Sequence, residues 1–331
     1  MSLAVTTRPV LAGDIGGTKT ALAWVDGGVV VESRIYKSAD YASLAEIVRA
    51  FVTAVPAGPP RAACFGVAGP VVGGVARTTN LPWTIESAGF GEVLGDVPVR
   101  LINDLEAVAY GLGVAGDDAF VTVNPGATDA TGNRAIIAAG TGLGQAGLYW
   151  DGRTHRPFAS EGGHASFAAR NSREAGLWQF LAADHGHVSS ERVLSGRGLF
   201  DVYRFVRQEQ GQDEPSWLSA RLETEHPSAV VSACGLDGSS PLCREALRLF
   251  ARIYGAAAGN LALTVLATGG VFVGGGIAPR IMPALTDGVF LEAFLDKGRM
   301  RPLLESMAVR VILSPAIALL GAAHAAEEAR P

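Results

Sequence analysis

The segment Pro98–Gly113, PVRLINDLEAVAYGLG, decides how the chain is read. Val99 and Leu101 mark a short apolar strand that runs into Asn103 and Asp104. Beyond them Leu105, Val108, Ala109 and Leu112 recur at helical spacing. Asn and Asp both accept the N–H bonds that a first helical turn leaves open, so the pair can be a helix cap and nothing more. It can also put a carboxylate at the C-terminal end of a strand, where open α/β sheets place ligands. The flanking sequence favours the second reading. A glycine-rich strand–turn–strand unit lies on each side of the segment, and the two together suggest phosphates held over a single acid.

The upstream unit is LAGDIGGTKTALAWVDG and the downstream one IAAGTGLGQAGLYWDG. Both end in Trp and Asp-Gly, and two related hairpins, one per half, imply two domains that share a plan. Strands are predicted at Val10–Asp14, Thr20–Val25, Val29–Ile35, Ala62–Val67, Arg134–Ala139, Ala146–Trp150, Val271–Gly276 and Val309–Leu313. Helices are predicted at Tyr41–Val55, near Glu86–Leu94, at Leu242–Val265 and at Ala316–Glu328. Phe158–Phe167 reads as an irregular loop, Ser189–Arg192 as a helix start and Gln208–Pro227 as a polar surface excursion.

Composition narrows the class. The 331 residues suffice for two cores, and 48% hydrophobic against 18% charged residues describes a globular chain. Net charge is −5 and no basic stripe occurs, so nucleic acid is not an expected partner. Three cysteines without CxxC or Cys/His spacing fit a reducing compartment, with neither a disulfide framework nor structural zinc. No signal peptide is read at the N-terminus. Ile253–Pro279 lacks any charged residue and is long enough for a membrane span. Its many glycines read instead as the end of a buried helix followed by a buried strand, so no membrane association is expected.

With these segments in place the sequence resembles bacterial glucokinases of the hexokinase–actin superfamily. The resemblance rests on GDIGGTKT (Gly13–Thr20), GVAGPV (Gly66–Val71), TNLPW (Thr79–Trp83), INDLEAVAYG (Ile102–Gly111), AAGTGLG (Ala138–Gly144), SEGGHASFA (Ser160–Ala168), SERVLSGRGL (Ser190–Leu199) and GGVFVGGGIAPR (Gly269–Arg280). Arg197 departs from it, standing where a Ser-Gly-Pro-Gly turn is expected. Neither the zinc-binding Cys/His segment of the related repressor–kinases, expected after EGGH, nor their helix-turn-helix domain is read in these residues, so a repressor is not expected. The resemblance implies a two-domain actin-like ATPase (ribonuclease H-like) fold, each domain a mixed sheet flanked by helices, with an interdomain cleft. Residues 1–113 with 314–331 would form the small domain and 114–313 the large one. A homodimer, a cytoplasmic location and the substrates glucose and MgATP are implied as well.

The resemblance, taken with the residue types at these positions, implies the chemistry. Gly16, Gly17 and Thr18 follow Asp14 in a turn whose backbone N–H groups can approach phosphate, although a plain hairpin turn has the same composition. Asp14 suits Mg²⁺ held through water, since Mg²⁺ keeps most of its own waters. Gly140, Thr141, Gly142 and Gly144 form the second phosphate turn, which is not a P-loop because no Gly-Lys-Ser/Thr follows. Gly274, Gly275 and Gly276 would let adenine and ribose lie against backbone. Asp104 is the expected general base for a sugar hydroxyl, and Asn103 would hold neighbouring hydroxyls. The resemblance gives the remaining hydroxyls to Glu161, His164 and Glu191. Gly162 and Gly163 interrupt Glu-x-x-His, which argues against a helical metal pair, so no protein-held metal is expected. His185 and His187 read as surface or helix-end residues. Another hexose, polyphosphate as donor, or a sugar-binding regulator without turnover are the rival readings.

Overall fold

The computed structural model describes residues 8–78 and 81–328. Thr79 and Asn80 of the TNLPW stretch lie outside the described residues. The chain runs through β1 (Val10–Ile15), β2 (Lys19–Asp26), β3 (Val29–Lys37), α1 (Leu44–Ala54), β4 (Ala63–Val67), β5 (Val71–Val72), β6 (Val75–Arg77), β7 (Thr84–Glu86), α2 (Gly91–Leu94), β8 (Val99–Asn103) and α3 (Asp104–Gly111). It continues through β9 (Phe120–Asn124), β10 (Arg134–Ala139), β11 (Leu143–Trp150), β12 (His155–Ser160), α4 (Ser172–His185), α5 (Ser190–Val193), α6 (Gly196–Gln210), α7 (Ser216–Thr224), α8 (Pro227–Leu236) and α9 (Pro241–Val265). It ends with β13 (Val271–Gly274), α10 (Met282–Thr286), α11 (Val289–Leu295), α12 (Arg301–Glu305), β14 (Val309–Ile312) and α13 (Ile317–Glu328). Two compact units result, one reaching Ala119 and resuming at Ser314, the other Phe120–Leu313.

The first unit holds a five-stranded sheet in the order β3-β2-β1-β4-β8. β3, β2 and β1 pair antiparallel, and β1, β4 and β8 pair parallel. β1 is buried on both faces up to Gly13, which explains the apolar run that precedes Asp14. Leu11 and Ile15 pack with Leu44, Ile47 and Phe51 of α1, while Val10 and Ala12 pack with Ala107 of α3 and Ala322 of α13. Ser43 caps α1 by accepting from Glu46 N–H, and Glu46 Oε2 accepts from Ala42 N–H. This reciprocal cap starts the helix at Leu44, later than the sequence alone places it. α13 crosses α3 so closely that a Cβ on Gly321 would meet the Ala107 carbonyl oxygen.

In the second unit the order is β12-β11-β10-β13-β14-β9. Its first five strands repeat the first unit's succession of two antiparallel and two parallel pairings. The hairpin similarity read in the sequence therefore extends to a duplicated sheet. β9 adds an antiparallel edge to β14, with a register shift at Val309/Arg310. One face of the sheet, through Ala135, Ile137, Val271 and Val273, packs against the apolar face of α9.

Several sequence expectations need correcting. Phe158–Phe167 is not all loop: β12 runs to Ser160 and a 3-10 turn spans Gly162–His164. β12 is a largely exposed edge strand, so it carries no core pattern. Gln208–Pro227 lies largely at the surface as expected, and is mostly helical there, through the end of α6 and all of α7. α7 buries only Leu218, too little to print an apolar stripe. The helix near Glu86 begins instead as β7, then a 3-10 turn and the single turn of α2. The uncharged stretch from Ile253 is the end of α9 followed by β13, and no described helix is long and apolar enough to cross a membrane.

Candidate active site

In the first unit the parallel strands β1, β4 and β8 end side by side. Asp14 stands opposite Gly66, and Val67 opposite Asn103. Asn103 caps α3, its Oδ1 accepting from Leu105 N–H at 3.0 Å and its Nδ2 donating to the Gly69 carbonyl at 3.1 Å. The cap reading of Asn103 is thus correct, and the cap holds Asp104 at the first position of α3. Asp104 Oδ1 accepts from Leu105 N–H at 2.9 Å. Asp14 is half-buried, and among the described residues it has no hydrogen bond or ion pair. Burial, then the nearby charge of Asp104, push its carboxyl up to about 6. Two acids so placed, one without a hydrogen-bond donor, suit a hydrated divalent cation beside phosphate.

The turn after Asp14 closes through Gly16 N–H to the Lys19 carbonyl at 2.9 Å. Ser38 secures it from beneath. Its hydroxyl donates to the Gly16 carbonyl at 2.9 Å and lies 3.0 Å from the Thr20 hydroxyl, while its N–H donates to the Thr18 carbonyl. Both hydroxyl residues are fully buried. The sequence reading misses Ser38, whose one signal is a lone serine closing a charged, exposed strand.

In the second unit three backbone turns meet. The Gly140 carbonyl accepts from Gly196 N–H at 2.9 Å, and the Ala139 carbonyl accepts from Ile277 N–H at 3.1 Å, just past Gly274, Gly275 and Gly276. Gly140 N–H turns back onto the Gly142 carbonyl at 2.8 Å, which folds Gly140, Thr141 and Gly142 into a tight hairpin before Gly144. Tyr254 of α9 ties these ends together. Its buried hydroxyl accepts from Ala139 N–H at 3.1 Å and lies 3.2 Å from the carbonyls of Ile137 and Gly274. The apolar face of α9 hides this polar role in the sequence. Arg197 does not disturb its turn, because Ser195 caps α6 by accepting from Gly198 N–H at 3.0 Å.

Glu161, His164 and Glu191 come together in the same unit. His164 Nε2 is 3.8 Å from Glu161 Oε2, and Nδ1 is 4.0 Å from Glu191 Oε1. Glu191 Oε2 also accepts from Leu143 N–H at 3.0 Å, which fastens this acid to the second glycine turn. A Cβ on Gly163 would collide with the Leu143 carbonyl, so only glycine lets the loop lie on β11. His187 is exposed as expected, but its Nε2–H donates to the His164 carbonyl at 3.1 Å and steadies the loop. His185 is the last residue of α4.

A duplicated sheet with a glycine hairpin opening each copy, and acids at the strand ends of the first, is the build of the actin-like ATPase fold, and the match to glucokinases places the chain among ATP-dependent sugar kinases, a class of phosphotransferase. The glucokinase family model matches residues 11–329. The chain belongs to the glucokinase family. It is 41% identical over 335 residues to a glucokinase of Trichormus variabilis, covering 95% of this chain and 97% of that one. The crystal structure of a glucokinase from an Antarctic psychrotroph superposes with a TM-score of 0.85 at 32% identity, covering 97% of this chain and 99% of that one. A ROK family glucokinase from Streptomyces griseus, solved with glucose and AMPPNP, shares the fold with a TM-score of 0.68 at 22% identity, over 97% and 99% of the two chains.

Proposed function

We propose that the protein transfers the γ-phosphate of MgATP to the 6-hydroxyl of glucose, giving glucose 6-phosphate and ADP, with Asp104 as general base. The observation that carries this reading is Asp104 at the end of β8, beside the raised carboxyl of Asp14. A primary hydroxyl is a poor nucleophile and loses its proton during phosphoryl transfer. The charged carboxylate of Asp104 accepts that proton, and Asn103 orients the adjoining hydroxyl. Glu161, His164 and Glu191 bind the other hydroxyls through strong acceptors and an imidazole that both donates and accepts. Gly16, Gly17 and Thr18, and likewise Gly140, Thr141, Gly142 and Gly144, are the residues that bind phosphate, and Gly274, Gly275 and Gly276 those that take the nucleoside. Asp14 would hold the Mg²⁺ of MgATP through one of its waters, and that cation would supply positive charge beside the transferred phosphoryl group.

Residues 1–113 with 314–331 act as the small domain and 114–313 as the large one, in a cytoplasmic homodimer at the entry to glucose breakdown. An assay coupling glucose 6-phosphate formation to a dehydrogenase tests the reading directly. Turnover with glucose and MgATP is expected. Asp104→Asn should lower kcat by roughly 10²–10⁴-fold while glucose still binds, because the amide keeps the contact but takes no proton. A variant retaining most of its kcat would remove Asp104 from the role of base.

A further inference from the structure

Outside the residues assigned to catalysis, the second unit has a concavity of about 260 Å³ between the start of α4 and the middle of α9. Arg173, Arg248 and Arg252 line it, with Leu249 and the acids Glu174 and Glu245. Both acids are already matched. Glu174 takes two hydrogen bonds from the Arg170 guanidinium, at 3.1 and 2.5 Å, and Glu245 is 2.5 Å from Arg173 Nη1. Arg173 also donates to Glu209 through Nε and Nη2.

Arg248 and Arg252 have no hydrogen bond or ion pair among the described residues. They lie four residues apart on α9, so like charges face one another along one stripe with no carboxylate between them. Leu249 beside them is buried, so α9 is anchored and cannot turn the arginines away. Two uncompensated guanidinia carried on an anchored helix at a concave surface, with a third at its rim, form a receptor for a multiply charged anion. Each guanidinium presents a planar fork of donors that matches phosphate oxygens in pairs. The volume falls below the roughly 300–1,000 Å³ of drug-sized sites, which favours a small ligand.

The concavity also touches the sugar loop. Glu174 lines both it and a second cavity of about 340 Å³ whose wall includes Gly162, Ala165 and Ser166. Arg170, which holds Glu174, follows that loop directly in the chain. An anion drawing Arg173 off Glu245 and Glu209 would therefore act on the first turn of α4, and through it on the loop that carries Glu161 and His164.

We propose that Arg173, Arg248 and Arg252 bind a small phosphorylated molecule carrying at least two negative charges, and that its occupancy alters sugar affinity. The test is titration calorimetry of the full chain with inorganic pyrophosphate and, separately, with glucose 6-phosphate, comparing wild type with Arg248→Ala/Arg252→Ala. Both substituted side chains are exposed and outside the catalytic set, so folding and basal kcat should be unchanged. Uptake at the phosphate turns is common to both proteins and cancels. Wild type should bind one further equivalent of at least one probe, weakening as salt rises, and the double variant should lose it by about tenfold or more in affinity. That probe should shift the glucose KM of wild type at saturating MgATP by more than it shifts the variant's, whose KM should show only the competition at the active site that both proteins share. The probe that does so separates a sugar phosphate from a diphosphate. Superimposable isotherms for the two proteins with both probes would overturn the site. The binding arm needs no turnover, so its failure is distinct from a failure of the glucokinase reading.

Discussion

Asp14→Asn should make the protein more stable and less active, and the gain should depend on pH. Asp14 titrates at about 6 in the folded protein against an ordinary 3.8, because burial and the Asp104 charge disfavour its ionised form. Between these two values the folded state binds a proton that the unfolded state has released. Wild-type stability from this group therefore falls as pH rises from about 4 to about 6, and the loss persists above it. At about 1.4 kcal/mol per pH unit, a rise from 3.8 to about 6 corresponds to roughly 3 kcal/mol. Asparagine resembles the protonated acid and carries no charge at any pH. The variant should match wild type near pH 4 and exceed it by about 1–3 kcal/mol at pH 8, the lower end allowing for an amide whose own donors go unmatched. Urea unfolding of the ligand-free protein measures this. Trp24 is the natural probe, since it is buried in β2 of the same sheet and donates its indole N–H to the Val55 carbonyl at 2.8 Å. The same variant should lose turnover with MgATP, the usual exchange of activity for stability when a desolvated site acid is neutralised. A stability difference equal at pH 4 and pH 8, or one favouring wild type at pH 8, would refute the account of Asp14.

Gly321→Val should destabilise the first unit by about 1–3 kcal/mol, read as a lower urea midpoint with Trp24, because its side chain would separate α13 from Ala107 of α3. An unchanged midpoint would mean that the helix contact is not close. Tyr254→Phe should cost about 1–3 kcal/mol by leaving the Ala139 N–H buried and unpaired, and should raise the KM for ATP more than that for glucose. Equal effects on both constants would count against the role given to the end of β10. Wild type should prefer glucose to mannose by about tenfold or more in kcat/KM, and Glu161→Gln should narrow that ratio. A ratio left intact by the substitution would move sugar choice to other residues.

The sequence by itself determined the units of the fold. The buried strands β1, β4, β10 and β13 are continuous apolar runs between glycine turns, and such runs owe their form to burial on both faces rather than to any distant partner. The two hairpins could be matched because each glycine turn fixes its own local geometry. α9 and α13 were legible from their spacing, and Asn103-Asp104 from the strand before them and the helix after. What burial does not write into the chain was not legible. β9 and β12 are edge strands with half-exposed sides, β5 has two residues, and α7 hides a single leucine. The partners of polar side chains were also beyond it. Ser38 reaches Gly16 across 22 positions, and Tyr254 reaches Ala139 across 115. Neither separation leaves a mark in local composition. The raised carboxyl of Asp14 belongs to the same class, since it exists only because parallel strands bring Asp104 near it and exclude water. Local chemistry determined which residues could act, and tertiary packing decided which of them stand together and in what state of charge.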